Sequence, residues 1–371
     1  MKKYSILYIM LSAVLAVSCD VEENLKPSNL DEDRVASQLD LTIPTVKNLY
    51  ENYNTGVLYE YDNVMDFAYE ASTSAASDRW GSVEIPMLRT LFENEEGQLP
   101  AENVADYKAY TTEAVNFLND NVFKYFIADS RIAAMMPYKV LISESIFSDN
   151  KLQGEVARVI IESDSRQVSS PENSLKTVYN SHSIVFNLNL DNYGTASRID
   201  AFSKDNFYVL LSRIMGMHNL YDEVPSSFSL GKDEYYGLEM EPVFREETGI
   251  ADEKLVFVID KDWFYEKGFI DAKYFYDSEI GTIQQNYDED GNYLGVIGRI
   301  YHYNAIAPSD EFVASKELDV RSYLNEMIHN SSAEITAYPQ NIQDNMKILL
   351  DLFVGWGVDM LSVNPDLEVL N

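Results

Sequence analysis

The sequence is poor in cysteine, histidine and basic side chains. Cysteine occurs once in 371 residues, at Cys19, which excludes a disulfide framework and a cysteine-based zinc site. Four histidines limit the metal chemistry that the chain can support. Lys and Arg together number 28 against 61 Asp and Glu, a formal net charge of −33. This charge argues against binding nucleic acid or anionic lipid through general electrostatics.

Repeats, low-complexity tracts and a second hydrophobic span are also missing beyond residue 40. Neither a glycine-rich phosphate loop nor a G-x-S-x-G nucleophile elbow occurs. The composition is that of a globular protein, with 46% hydrophobic and 24% charged residues. A chain of this length can bury an ample core without disulfides.

Residues 1–18 have the features of an export signal. Lys2 and Lys3 precede an apolar run that is too short for a permanent membrane helix. The run ends in Ala16-Val17-Ser18-Cys19, which resembles a bacterial lipobox. We therefore predict that Cys19 is lipidated and anchors the chain in the outer membrane. The alternative is an ordinary signal peptide that contains a cysteine.

The polar, acidic composition of residues 19–38 predicts a flexible tether between the anchor and a domain that spans residues 39–371. Asp20, Glu22 and Glu23 follow the cysteine closely. This acidic run resembles the surface-export signal of lipoproteins in gut-type Gram-negative anaerobes, so we expect display on the cell surface. A merely solvated linker is the alternative.

Hydrophobic periodicity in the domain predicts both helices and strands. Helical patterns occur at 104–127, 203–220, 320–329 and 341–361. Short β-rich runs occur at 57–61, 139–147, 156–162, 183–190 and 255–259, and Asp290-Gly291 predicts a hairpin between 282–287 and 293–303. These elements lack regular βαβ alternation, which favours an α+β fold.

The helix predicted over 203–220 has the apolar face expected of a metallopeptidase helix but lacks the metal ligands and the catalytic glutamate. Ser203 is its predicted N-cap, and one apolar stripe follows at Phe207, Leu210, Leu211, Ile214, Met215 and His218. A zinc peptidase helix needs two histidines four residues apart, with a glutamate beside the first. One histidine cannot hold catalytic zinc without two further protein ligands.

At this helix the chain resembles the zinc-binding metallopeptidase lipoproteins that accompany starch-utilisation-type nutrient loci. The resemblance lies in residues 207–228, FYVLLSRIMGMHNLYDEVPSSF. The family pattern H-E-x-x-H-x-x-H, aligned on its last histidine, places the functional positions at Leu211, Ser212, Met215 and His218. Three of these four positions have lost the functional residue, so no catalytic residue is carried over. His218 is the only surviving ligand position.

Further segments carry the same resemblance. Residues 140–147 and 178–190 match the family's strand before this helix. Residues 39–66 are similar to the family's N-terminal region, and residues 311–327 resemble a segment that ends in Glu-Met, here Glu326 and Met327. Tyr323 stands where that segment has an aspartate. The resemblance covers roughly residues 39–371 and implies a zincin-like scaffold with a mixed sheet and packed helices.

Aromatic side chains provide candidate ligand-binding surfaces, since the chain has 26 Tyr, 17 Phe and 3 Trp. If residues 255–265 form a strand, Trp263 and Tyr265 share one face, which makes them the favoured binding pair. The alternative is that the tyrosines fill half-buried positions of the fold.

The sequence favours a catalytically inactive lipoprotein that binds a peptide or glycan during nutrient acquisition. No cofactor is expected, and zinc is disfavoured because its ligands are missing. One alternative is an active hydrolase whose metal or catalytic groups lie outside the ancestral motif. Another is a structural accessory to an outer-membrane transporter complex.

Overall fold

A computed structural model describes residues 33–68, 83–148, 177–179, 183–238, 240–249, 261–270, 283–287, 293–299 and 315–371. Within it, Leu39–Asn371 forms one compact unit, and helix α1, Arg34–Gln38, belongs to a separate unit. Helix α1 falls in the predicted flexible tether, so the last five residues of that tether are helical. The predicted signal, Cys19 and the acidic run after it lie outside the described residues.

The compact unit contains helices and strands of very different lengths. The helices are α2 (Pro44–Tyr53), α3 (Val104–Asn121), α4 (Ala196–Met217), α5 (Ser226–Ser229), α6 (Met240–Thr248), α7 (Lys261–Glu266), α8 (Lys316–His329), α9 (Ser332–Ala337), α10 (Gln340–Trp356) and α11 (Met360–Val363). The strands are β1 (Gly56–Leu58), β2 (Val83–Glu84), β3 (Lys139–Ser143), β4 (Phe147–Ser148), β5 (Thr177–Tyr179), β6 (Ser183–Asn187), β7 (Ile283–Tyr287) and β8 (Tyr293–Arg299). Over the described ranges, no helix is both long enough and apolar enough to cross a membrane.

The central sheet is mixed, with the strand order β1-β3-β6-β5. Strands β1, β3 and β6 are parallel, and β5 runs antiparallel to β6. Val57, Val140 and Ile184 lie side by side across the three parallel strands. The combination of a small mixed sheet with many helices confirms the predicted mixture of helix and strand.

Both faces of this sheet are buried, which explains why its strands read as continuous apolar runs. Val140, Ile142 and Phe186 face the main core. Leu141 and Val185 alternate with them and face a smaller cluster on the other side. The sheet is therefore an inner layer of the fold.

Helices α4, α8 and α10 supply much of the main core. Their fully buried apolar residues include Phe207, Leu210, Leu211, Ile214, Val320, Leu324, Met327, Met346, Leu349 and Phe353. Helix α4 contacts both α3 and α8. A helix surrounded in this way buries residues on most of its circumference in its second half, rather than on one stripe.

Several predicted helix boundaries are wrong. Helix α3 ends at Asn121 and not at 127, because the backbone of Val122 leaves the helical region. Helix α4 starts at Ala196, where the Thr195 side chain accepts a hydrogen bond from the Arg198 backbone N–H. Ser203 is therefore not the N-cap. It is buried inside α4, and its hydroxyl pairs at 2.8 Å with that of Tyr125.

The segment predicted as one helix over 341–361 is divided. Helix α10 ends at Trp356, and Gly357 follows with a left-handed φ of 98°. The chain then turns into the short helix α11. Glycine allows this stop because it carries no Cβ to oppose a positive φ.

The predicted strands are present where the structure describes them, but they are shorter than the predicted runs. Strands β1, β3 and β6 lie within the runs 57–61, 139–147 and 183–190 or within one residue of them. Strands β7 and β8 form the predicted antiparallel hairpin. The runs 156–162 and 255–259 and the hairpin turn at 288–292 lie outside the described residues.

Replacement of Gly357 by alanine should destabilise the fold. An added Cβ would clash with the Cβ of Ser130 and would strain the left-handed backbone. We expect the free energy of unfolding to fall by about 1–3 kcal/mol, measured by urea denaturation. Gly355→Ala is the matched control, because an added Cβ there meets no atom within 4 Å. Equal losses in both variants would contradict this account.

Candidate functional site

The predicted ligand positions on α4 belong to the hydrophobic core. Leu211 and Met215 are fully buried within it. Ser212, where the predicted resemblance places a glutamate, is also buried, and its backbone carbonyl accepts a hydrogen bond from the Tyr221 hydroxyl. Neither a thioether nor an alkyl side chain in this setting provides an activated water or a nitrogen ligand.

His218 does not complete the apolar stripe, and that prediction is wrong. The helix ends at Met217, so His218 is the C-cap residue, and its backbone N–H donates to the Ile214 carbonyl at 3.1 Å. Its side chain is exposed to solvent. Because the helix stops one residue earlier, the spacing from Phe207 no longer decides which way His218 points.

Helix α8 carries Tyr323, which the predicted resemblance places at the position of an aspartate. Tyr323 is fully buried, and its hydroxyl donates to the Gly268 carbonyl at 2.6 Å. The Asn345 side-chain amide donates to the same hydroxyl at 3.1 Å. Burial raises the pKa of Tyr323 well above its ordinary value, so the phenol stays protonated. Tyr323 therefore joins α8 to α10 and to the turn that follows α7.

Glu326, on the same helix, also forms contacts inside the protein. Glu326 is fully buried, and its Oε2 accepts a hydrogen bond from the Tyr338 hydroxyl at 2.6 Å. The Asn330 side-chain amide donates to the same oxygen. Burial raises the pKa of Tyr338, which keeps it protonated as a donor. These contacts join the end of α8 to the segment after α9.

The two histidines that the structure describes, His218 and His329, occupy different structural positions. His329 is the last residue of α8, with Nε2 3.8 Å from Asp205 Oδ1, whereas His218 caps α4. In the described part of the chain, no group of three or more His, Cys, Asp or Glu side chains is placed to hold a metal ion. His182 and His302 lie outside that part.

The predicted binding pair of Trp263 and Tyr265 does not form one face, because residues 261–266 are the helix α7 and not a strand. Side chains two positions apart on a helix point in nearly opposite directions. Trp263 packs on Phe244 in a small aromatic cluster, and Tyr265 packs edge-on against Tyr338 in the main core. Both rings are only 9% exposed, so they do not form a shared open platform.

A buried charged cluster, absent from the sequence predictions, lies where the segment after α5 meets α8. Lys232 Nζ is 2.7 Å from Asp319 Oδ2, and both side chains are 0% exposed. The Tyr236 hydroxyl donates to the same oxygen at 2.6 Å. Lys232 Nζ also lies 3.4 Å from the centroid of the Phe228 ring. We call Lys232, Tyr236 and Asp319 the lysine–aspartate cluster.

Burial controls the protonation of this cluster. Desolvation lowers the pKa of Lys232 and raises that of Asp319, in each case against the attraction between the two groups. Burial and the neighbouring Asp319 raise the pKa of Tyr236, which keeps its hydroxyl protonated. The environment therefore favours the neutral amine and the neutral acid more than water does.

Sequence reasoning had little chance of finding this cluster. Lys232 occurs in Gly231-Lys232-Asp233-Glu234, which reads as a solvated turn, and Asp319 is one of 61 acidic residues. A weak signal exists on α8, where Asp319 lies one turn before the buried Tyr323 on the same helical face. An acid on an apolar face indicates a buried partner but does not name it.

Comparison with protein-family models, curated proteins and solved structures finds no match to this chain. The resemblance to the metallopeptidase lipoproteins therefore stays a prediction. The roles of individual residues rest on their positions in the structure.

Replacement of Lys232 by methionine should strongly destabilise the protein, because it leaves the buried carboxyl group of Asp319 without its lysine partner. We expect a loss of about 3–5 kcal/mol in the free energy of unfolding, measured by urea denaturation. If the two side chains form an ion pair, the double variant Lys232→Met/Asp319→Leu should recover much of that loss, since it removes both buried polar groups.

Lys347→Met is the matched control for this change. Lys347 pairs with Asp351 at 2.8 Å on the surface of α10, where both side chains are well exposed. Breaking an exposed pair of this kind should cost only about 0.3–0.5 kcal/mol. A loss at Lys232 no larger than the loss at Lys347 would show that the cluster contributes little.

Proposed function

We propose that this protein is a lipid-anchored, cell-surface binding or accessory protein for peptide or glycan acquisition. In this proposal its scaffold is that of a zincin-like metallopeptidase from which the catalytic zinc site has been lost. It acts by holding a ligand, alone or beside an outer-membrane transporter complex, and not by cleaving it.

The observation that carries the proposal is the environment of the former ligand positions. Leu211 and Met215 are closely packed core residues, and His218 lies at the solvent-exposed end of α4. A zinc ion would need at least three protein ligands that converge on one point. Without it, both the Lewis acid and the activated water of a metallopeptidase are lost.

The general architecture supports the scaffold part of the proposal. A small mixed sheet and helix α4 contribute to one hydrophobic core, and α8 contacts α4, which is compatible with a zincin-like scaffold. Loss of metal ligands does not by itself remove a cleft, so a binding function is compatible with loss of catalysis.

Purified protein from Asp20 onwards should retain no stoichiometric zinc after loading with zinc chloride and exhaustive dialysis. The physical reason is that, among the residues the structure describes, no group of three His, Cys, Asp or Glu side chains converges to hold a metal ion. Elemental analysis by mass spectrometry measures the metal content, and the same sample is assayed for cleavage of casein.

His218→Ala is the control for the zinc experiment. The exposed position of His218 predicts that this variant folds and behaves like the parent. Stoichiometric zinc in the parent, lost in the variant, would overturn the proposal and revive the hydrolase alternative. Casein cleavage by the metal-free parent would also overturn it.

Replacement of Cys19 by alanine should move the protein from the membrane fraction to the soluble fraction. The thiol is the only one in the chain, so its loss removes the sole site for a thioether-linked lipid. Fractionation and labelling with an alkyne-tagged fatty acid measure anchoring, and protease added to intact cells measures surface exposure.

Ser18→Ala serves as the matched control, because a small residue still precedes the cysteine. This variant should stay anchored and labelled. Membrane attachment that persists in Cys19→Ala, or an intact protein after protease treatment of whole cells, would contradict the anchored, surface-exposed part of the proposal.

A further inference from the structure

The lysine–aspartate cluster is enclosed by aromatic rings. Lys232 Nζ lies 3.4 Å from the ring centroid of Phe228, 4.8 Å from that of Tyr323 and 5.6 Å from that of Phe269. Both charged side chains are 0% exposed. Water is therefore excluded from the point at which the amine meets the carboxyl group.

An ion pair leaves several polar atoms of this cluster without partners. Asp319 Oδ1 is buried, and no hydrogen bond to it exists in the described part of the chain. Lys232 Nζ has the 2.7 Å contact with Asp319 Oδ2 but, over the same residues, no acceptor for its remaining N–H groups. A buried ammonium with three donors and a buried carboxylate oxygen without a donor are each unfavourable.

We propose that Lys232 and Asp319 become joined by an amide cross-link that the folded chain forms by itself. In this step the lone pair of the neutral amine attacks Cγ of the protonated carboxyl group. The new Nζ–Cγ bond forms, one Cγ–O bond breaks, and that oxygen leaves as water with the acid proton and one amine proton. No oxidant, metal or co-substrate is needed.

The positions of the two carboxyl oxygens match this reaction. Oδ2 accepts the Tyr236 hydrogen bond at 2.6 Å, so it becomes the carbonyl oxygen of the amide, and the phenol stabilises the charge that develops there. Oδ1, which has no partner among the described residues, is the oxygen that leaves. The product has one N–H and one carbonyl oxygen to satisfy, fewer polar atoms than the ion pair.

The protonation states favoured by burial support the same step. Desolvation lowers the pKa of Lys232 and raises that of Asp319, which increases the fraction of neutral amine and neutral acid. Contact between the two groups in the folded state replaces an encounter between separate molecules, which greatly raises their effective concentration. Exclusion of water opposes the reverse hydrolysis.

The cross-link would tie the segment after α5 to helix α8 across a long loop of chain. Closing such a loop covalently stabilises a fold mainly by restricting the unfolded chain. The chain has a single cysteine and cannot form a disulfide within itself, so a covalent cross-link within it needs a different bond, such as an amide. This inference is independent of the binding function proposed above.

Peptide mapping of the denatured full chain tests the proposal. After tryptic digestion, mass spectrometry should find a branched peptide that joins Lys232 to Asp319. Its mass should equal that of the Asp319 peptide plus that of the peptide left uncleaved at Lys232, less one water molecule. Cleavage after Lys232 should be abolished, because trypsin requires a free lysine side chain. Fragmentation of the branched peptide should locate the bond at these two residues.

Two variants are mapped in parallel. Lys232→Arg keeps the positive charge but removes the primary amine, and Asp319→Ala removes the carboxyl group, so neither should yield the branched peptide. The wild-type map decides the question even if a variant fails to fold. Complete recovery of both linear wild-type peptides, with normal cleavage after Lys232, would show an ordinary ion pair and overturn the proposal.

Discussion

Burial of helix α4 is the constraint on which the rest of the structure depends. Its second half contributes Phe207 and a run of buried residues from Val209 to Met215, whose apolar members pack in the main core with the sheet and with helices α8 and α10. This packing gains a large hydrophobic free energy but leaves no polar surface at Leu211 or Met215. A metal site there would require the core to open, so the packing and the proposed loss of catalysis have one physical cause.

Buried polar groups join the elements that this packing brings together. Tyr323 hydrogen-bonds from α8 to the turn after α7, Glu326 accepts from Tyr338, and the lysine–aspartate cluster connects α8 to the segment after α5. Helix α8 is thus the element to which neighbouring segments attach. Groups of this kind are costly to bury, and each is engaged by at least one partner. They specify the arrangement of the segments more than they add net stability.

Much of the fold could be predicted from the sequence, but boundaries could not. Strands β3 and β6 were predictable because both of their faces are buried, which produces continuous apolar runs. The start of α4 was missed because Thr195 and Ser203 are both good N-cap residues, and only the buried hydrogen bond of Ser203 with Tyr125 decides between them. Residues 261–266 were misread because a short aromatic run fits strand and helix equally well.

The sequence by itself determined the composition-level properties: one cysteine, a strong negative charge, a mixture of helix and strand, and a single histidine in the segment 203–220. These properties follow from residue identity and local periodicity. Only the tertiary structure decided that His218 faces solvent, that Trp263 and Tyr265 pack in different clusters, and that Lys232 contacts Asp319. Those outcomes depend on where a helix ends and on contacts between residues far apart in the chain. A local sequence pattern predicts neither of them.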